Sequence, residues 1–391
     1  MTVSTPSAGL RMALSIEDIA LAEAAPSEAK RTLTEPLVKA LWDSGLMQFM
    51  NPAEAGGAEP GFAELIETWL EMARQDGSLG WIAIANLPGA CFAAAYLSDE
   101  GFSEVFSANE NKVTMGGQFF PNGMGEVVEG GYKVTGAWQF GSGTGHSEYV
   151  CAGFIPMDNG EMVMADNGMP EMMVAVVPRE DVVFTDGWHV QGLKGTGSYN
   201  YELQDVFVPT QRTYSLFCRE PKRGGSTYKF GVMPLTAGGH AAWALGVSRS
   251  AIDDVVALAK EKTRMGDENS IAHKQTFQRN LAHHEAMWRA AHQLVVYTFT
   301  TVEAQVVAGE ALSPKMRADM RIAATYATEA SREVVQWAHL AAGTTAIREG
   351  NRLERAFRDI YTGTQHAFIS EKTYTEAGSL MLGLIEDSMA L

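Results

Sequence analysis

The stretch GAWQFGSGTGHSEYV, residues 136 to 150, sets four glycines, two serines and a histidine beside a tryptophan. Such a run suits three kinds of chemistry: a phosphate-cradling loop, a turn that presents a serine nucleophile, or the wall of a pocket for a flat aromatic cofactor. A dinucleotide fingerprint needs G-x-G-x-x-G between a strand and a helix. Residues 141–145 read G-x-G-x-G and residues 192–197 read G-x-x-G-x-G, both among strands with no helix following. A nucleophile elbow needs G-x-S-x-G, but Phe140 precedes Ser142 by two and Asn200 follows Ser198 by two. No Walker motif occurs. His283, His284 and His292 share one helical stretch, yet adjacent helical residues point about 100° apart and no His pair at i, i+4 accompanies a carboxylate, so no metal site is expected. The pocket wall remains, because glycines let a main chain approach a ring closely and Ser142 can donate or accept. A plain hairpin turn is the other reading of the same residues.

The elements that must position this stretch fall into three segments. Residues 17–24 and 35–47 carry apolar positions three and four apart, the pattern of amphipathic helices, and the apolar run GWIAIANLPGACFAAAYL predicts a buried helix interrupted at Pro88. From residue 113 the texture changes. EVVEGGYKVTGAWQF reads as a β-hairpin about a glycine turn, MMVAVVPREDVVF as further strand, and YNYELQDVFVP as a strand with Tyr199, Tyr201 and Leu203 on one face. From about residue 236 the helical period returns, with Ser313-Pro314 as an N-cap and first-turn proline. The expected fold is α+β: an N-terminal helical domain (1–112), a small central β-barrel or sandwich domain (113–228), and a C-terminal four-helix bundle domain (229–391).

Composition narrows the class. The 391 residues are 46% hydrophobic and 20% charged, ordinary for a globular enzyme. A formal charge of −17 offers no basic surface for nucleic acid and disfavours an anionic membrane. No eighteen consecutive residues are apolar, so no transmembrane helix is expected, and the start lacks the basic and apolar regions of a secretory signal. Cys91, Cys151 and Cys218 are odd in number and form no CxxC, which points to a reducing compartment, the cytoplasm.

The three-segment order, with GGYKVTGAWQF, GWHVQGLKGTGSYNYELQDVFVP and GTTAIREGNRLERAFRDI in sequence, resembles the acyl-CoA dehydrogenase superfamily over residues 15 to 385. The resemblance implies a flavin held between the β domain and the bundle, in a homotetramer whose neighbouring subunit completes the site. Dehydrogenases of this kind place a glutamate base a few residues after an Arg-Asp pair. Here Arg358-Asp359 is followed by IYTGTQHAF, with His366 near the position of the base. WQFGSG and RDIYTGTQH are more similar to the two-component flavin monooxygenases on this fold. Those take reduced flavin (FADH2 or FMNH2) from a separate NAD(P)H-dependent reductase and, with O2, hydroxylate a small organic substrate through a C4a-hydroperoxyflavin.

On that resemblance Ser142 steadies the oxygen adduct near flavin N5, and His366 is the general base or hydrogen-bond partner for substrate, because imidazole titrates near working pH. Trp138, Phe140 and Gly141 match the strand that backs the isoalloxazine ring. Gln118, Thr196 and Ser198 match loops that contact flavin or its phosphate, and Arg264 and Gln278 match an arginine and a glutamine that reach a neighbour's nucleotide. Asn86 stands where aromatic hydroxylases of this branch often carry a histidine, which disfavours a phenolic substrate. The alternatives are an acyl-CoA dehydrogenase with Glu371 or Glu376 as base, and a flavin- or acyl-binding homologue without catalysis. Twenty methionines and eight tryptophans are consistent with an adaptable apolar pocket.

Overall fold

A computed structural model of the chain describes residues 5–185, 188–389 and 391; Gly187 and the first four residues of the sequence read above lie outside it. Seven helices come first: α1 (Ala8–Ser15), α2 (Glu17–Lys30), α3 (Glu35–Asp43), α4 (Phe62–Gln75), α5 (Gly77–Ala85), α6 (Leu87–Tyr96) and α7 (Asp99–Val105). The apolar run breaks at Asn86, where Pro88 can occupy only a first turn because it has no N–H to donate. The stretch Gly77–Tyr96 is long and apolar enough by composition to cross a membrane, but 94% of its window is buried inside the fold. Its hydrophobicity all round the helix reflects neighbours on every side.

Eight strands follow: β1 (Met115–Val128), β2 (Gly131–Gly141), β3 (Tyr149–Asp158), β4 (Glu161–Met162), β5 (Met173–Pro178), β6 (Val183–Thr185), β7 (Tyr199–Pro209) and β8 (Thr213–Ser215). They form one mixed sheet in the order β6-β7-β2-β1-β3-β5-β8, with β4 on β3. The β1–β2 pair is the hairpin expected from EVVEGGYKV, whereas β1 and β3 run parallel. The sheet encloses a core of Trp138, Tyr201, Phe154, Val134, Val150 and Leu203. Register shifts between Gln118 and Gly123 and between Trp138 and Gly141 push two lips out of the ladder.

The chain ends in α8 (Val232–Glu261), α9 (Gln275–Val307), α10 (Pro314–Ala342), α11 (Arg352–Gly363) and α12 (Glu371–Met381). Ser313 caps α10 by accepting from Met316 N at 3.2 Å. The stretch NRLERAFRDIYTGTQHAFISEKTY holds two helices. α11 stops at Gly363, and the segment up to Glu371 brings His366 against Trp81 and His240.

Candidate active site

The centre of the site is a chain of hydroxyls whose polarity the geometry determines. Thr196 Oγ1 donates to the Leu193 carbonyl at 2.9 Å, so Ser198, 2.6 Å away, must donate to Thr196. Ser142 Oγ, 2.9 Å from Ser198, must therefore donate to Ser198, and it accepts the indole N–H of Trp81 at 3.1 Å. Each hydroxyl has one proton and two lone pairs, so the order Trp81→Ser142→Ser198→Thr196→Leu193 O leaves Ser142 one lone pair. Ser142 is 8% exposed, and Thr196 and Ser198 are sealed. The turn carrying Ser142 is clamped from behind: Asn86 Nδ2 donates to Ser147 Oγ at 2.9 Å, which donates to Gly143 O at 2.7 Å. Gly143, at φ +81°, lies so close that a Cβ would come within 2.4 Å of the Asn86 amide.

Over the hydroxyl chain lies an aromatic and imidazole shell. Trp81 meets Trp243 and His240 edge-on, each at 5.0 Å between centroids, and His366 at 5.8 Å. His240 and His366 are 4.3 Å apart. Gly363 makes the return of the chain possible, because a Cβ there would come within 2.1 Å of the Trp243 ring. Phe368 N–H donates to His366 Nδ1 at 3.3 Å, which puts the ring proton of the neutral imidazole on Nε2. Burial, and then the charge of Arg321, push the His366 imidazole down to about 4. The same causes, with His366 itself, hold His240 well below the usual imidazole range. The expectation that His366 titrates near working pH is therefore corrected: buried imidazole loses the water that would solvate its charge. Among the described residues no carboxylate acts on either ring; Glu371 is exposed and Glu376 half-buried on α12.

The loop that bears Thr196 is fastened by the Arg358-Asp359 pair. Asp359 Oδ1 accepts from Leu193 N at 2.6 Å, and Arg358 Nη1 donates to Gln191 O at 2.9 Å while pairing with Glu28 at 2.8 Å. Burial, and then the neighbouring Asp76, push the Asp359 carboxyl up to about 8.

The sequence-derived residues divide into four groups. Ser142, Thr196, Ser198 and His366 come together, with Gly141 in the same turn. Gln118 lies half-buried on the adjacent β1 lip, its backbone N–H on Tyr201 Oη at 2.9 Å. Trp138 and Phe140 do not share a wall. The register shift after Trp138 and the left-handed φ of +62° at Phe140 turn the two to opposite sides. Trp138 is 1% exposed, stacks on Tyr201 at 5.3 Å and donates to Gly153 O at 2.9 Å, so its side chain belongs to the sheet core. Phe140 is 60% exposed beside Trp188. Arg264 and Gln278 hold the Ala341 and Ala272 carbonyls at the end of the bundle. His284 and His292 stack on Trp337 and Trp288, and no metal-binding cluster occurs among the described residues. Trp81 and His240 were not anticipated as site residues. The signal for His240 was a lone histidine inside the apolar run GGHAAWAL.

These features fit a planar, polar-edged cofactor. The remaining lone pair of Ser142 and the outward-turned Phe140 ring belong to the turn at residues 140–143, and the Asn86 side chain, whose buried Oδ1 is unpartnered, packs against Gly143 of the same turn. Because the Ser147 proton goes to Gly143 O, the Asn86 amide orientation is settled and its free atom is the oxygen.

Residues 238–371 match the family described as acyl-CoA dehydrogenase, C-terminal domain. The chain is 30% identical over 356 residues to indole-3-acetate monooxygenase of Acinetobacter baumannii, covering 90% of this chain and 88% of that protein. It belongs to the flavin-dependent monooxygenases built on the acyl-CoA dehydrogenase fold. Within this family it is 27% identical over 387 residues to the oxygenase component of the FADH2-dependent resorcinol hydroxylase of a Rhizobium species, covering 94% and 92%. The crystal structure of 3-HSA hydroxylase from a Rhodococcus species superposes with a TM-score of 0.90 at 25% identity, over 99% of this chain and 100% of that one. Membership in this monooxygenase branch agrees with the absence, among the described residues, of a carboxylate acting on His366, and removes the dehydrogenase and non-catalytic alternatives.

Proposed function

We propose that this monooxygenase binds reduced flavin against the Ser142 turn and hydroxylates a small aromatic or heteroaromatic substrate held beneath His366 and His240. The observation that carries the reading is the polarity of the hydroxyl chain. It leaves Ser142 an acceptor, matched to an N–H such as the one a flavin carries at N5 only when reduced. When bound, the reduced flavin supplies two electrons and the centre at which dioxygen is activated, so that one oxygen atom enters the substrate and the other leaves as water. Ser142 would hold that N–H and, through Ser198 and Thr196, connect it to a carbonyl that takes up no proton. Trp81, Trp243 and His240 exclude bulk water, which protects an oxygenated site from discharge. His366, neutral with its proton on Nε2, donates a hydrogen bond to substrate or to the transferring oxygen; its Nδ1 lone pair is already engaged by Phe368. Gln118 and Phe140 form the lip over which the rest of the cofactor extends.

A separate NAD(P)H-dependent reductase would supply the reduced flavin, and the three free cysteines agree with a cytoplasmic location. A homotetramer would cover the apolar residues exposed around the bundle end, Leu340 at 67% and Ile347 at 66%, next to the carbonyl that Arg264 holds. Arg264 and Gln278 would then face a neighbour's nucleotide.

The test is rapid mixing of the anaerobic protein and reduced FMN or FAD with oxygenated buffer. The expected result is a near-ultraviolet transient that outlives the same reaction without protein and is shortened in Ser142→Ala. Reoxidation identical with and without protein would overturn the reading.

A further inference from the structure

Two buried carboxyls stand behind the two ends of the hydroxyl chain. Asp76 caps α5 by accepting from Leu79 N at 3.0 Å, and α5 carries Trp81, whose N–H opens the chain at Ser142. Asp359, on α11, accepts from Leu193 N at 2.6 Å. The Leu193 carbonyl closes the chain, receiving Thr196 Oγ1 and the Trp188 indole N–H at 2.9 Å each. Helix and loop also meet directly, where Gly195 N donates to Ser78 Oγ at 3.2 Å.

Each carboxyl spends only one oxygen in this way. Asp76 Oδ2 and Asp359 Oδ2 are buried with no hydrogen-bond partner among the described residues, and so is Gln75 Oε1. The Gln75 amide is oriented by Nε2, which donates to Ala13 O at 2.8 Å and to Glu71 at 3.0 Å, so its free atom is the oxygen. All three residues line one cavity of about 20 Å³ between α4, α5, α8 and α11, room for a single water. Asp359 Oδ2 lies so close to Gly77 that a Cβ there would come within 2.5 Å of it. One water has only two protons to give, fewer than three acceptors need. A proton on one carboxyl completes the set: water donates to Gln75 and to the ionised carboxylate, and accepts from the protonated one.

Charge leads to the same count. Around the cavity Arg74 pairs with Glu17 and Glu71, Arg352 with Asp254, and Arg358 with Glu28 and Glu354. Among the described residues only Arg355, itself 3.3 Å from Glu28, pairs with either carboxyl of the dyad, at 3.8 Å from Asp76 Oδ2. The carboxyls outnumber the guanidiniums, and like charges buried together keep a proton. Burial, and then Asp76, push Asp359 up to about 8; burial also raises Asp76, where Arg355 opposes it. The proton therefore rests on Asp359 and the negative charge on Asp76.

We propose that Asp76, Asp359 and Gln75 hold one water and one shared proton, and that this dyad positions both ends of the hydroxyl chain against which the flavin binds. The inference rests on the reduced-flavin reading above and adds the residues that set the geometry of that site. Asp76 and Asp359 are positioning residues, acting through Trp81 and Leu193. Loss of the shared proton leaves two anions across one water. Their repulsion parts α5 from the 193–195 loop, where Trp81 and Thr196 fix the direction of the Ser142 proton.

The test uses the full-length protein without flavin, isotope-labelled at tryptophan nitrogen for magnetic resonance. The Nε1–H signals of Trp81 and Trp188, assigned with Trp81→Phe and Trp188→Phe, report the two ends of the chain, and Trp138, bonded to Gly153 O in the sheet core, is the reference. From pH 6 to 9 the Trp81 and Trp188 signals are expected to shift together while Trp138 stays. Over the same range the infrared C=O stretch of a protonated carboxyl should be lost. Asp359→Asn, whose amide N–H takes the place of the shared proton, should lack that band and hold both indole signals at the parent's low-pH positions. Asp76→Asn keeps the cap and removes the like charge, so the transition should move to lower pH. Absence at pH 6 of a protonated-carboxyl band that Asp359→Asn removes would overturn the proposal. So would indole signals that hold still while the band is lost, or shifts that survive in folded Asp359→Asn. Because no flavin or oxygen is present, these outcomes are independent of the transient sought in the parent enzyme, whose absence would count against the monooxygenase reading alone.

Discussion

Trp81 donates its indole N–H to Ser142 Oγ across 3.1 Å, joining the buried helix of the N-terminal segment to the glycine-rich turn of the sheet. This bond orients Ser142. It occupies one lone pair from the helix side and sends the serine proton toward Ser198, so one lone pair of Ser142 is left to accept from a ligand N–H.

Ser142→Ala removes the acceptor and leaves the Trp81 N–H buried without a partner. The expected loss is about 1–3 kcal/mol of folding free energy, together with a shorter-lived oxygen transient. Trp81→Phe should cost a similar amount. In a double-mutant cycle by urea unfolding the two changes should be less than additive. Full additivity would show that the bond does not couple the helix to the turn.

The Asp359 carboxyl, raised to about 8 in the folded chain, should make stability depend on pH. Its unfolded value is about 3.9, so the folded state holds the proton more tightly. The resulting stabilisation is fully present below about 4 and is lost as pH rises through about 8. Urea midpoints measured from pH 6 to 9 should fall, and Asp359→Asn, which still accepts the Leu193 N–H but cannot ionise, should flatten that decline. An unchanged slope in the variant would assign the decline elsewhere.

Histidines act at the other end of the scale. His366 and His146 are pushed down to about 4 and His240 well below the usual imidazole range, all chiefly by burial. Unfolded imidazole takes its proton near 6.5, so the stability His366 and His146 contribute is present above 6.5 and is lost as pH falls through about 4. His366→Gln should lower the proton uptake on unfolding near pH 5 by about one, read from the pH dependence of the unfolding free energy. For the same reason the rate profile of the ligand-free enzyme should show no acidic limb near 6.5 from His366.

Trp138→Phe tests the reassignment of that tryptophan to the sheet core. Loss of ring volume and of the bond to Gly153 should cost about 1.5–4 kcal/mol, while affinity for reduced flavin changes little. Flavin affinity falling in step with stability would return the side chain to the pocket wall.

Periodicity and punctuation were enough to read the helix–strand–helix order, the β1–β2 hairpin, the break before Pro88 and the cap at Ser313, because each follows from local backbone preference. The serine at 142, the hydroxyls at 196 and 198 and the histidine at 366 were also legible, since polar residues among glycines or at a helix end stand out against an apolar background. What lies opposite them was not. Trp81 sits in a run apolar on every side, where no pattern distinguishes a packed indole from one that donates to a serine 61 positions later. His240 is helical core by its neighbours. Trp138 and Phe140, two apart in a strand, should share a face, and only the register shift between them sends one inward and the other out. Arg358 and Asp359 were visible as a pair, but that they fasten the loop bearing Thr196 depends on α11 packing 166 residues away from Leu193. Sequence alone determined which chemistry-bearing groups the chain owns and on which elements they lie. Only the tertiary structure decided their partners, their proton order and their charge state, because those depend on contacts distant in sequence and on the water that folding removes.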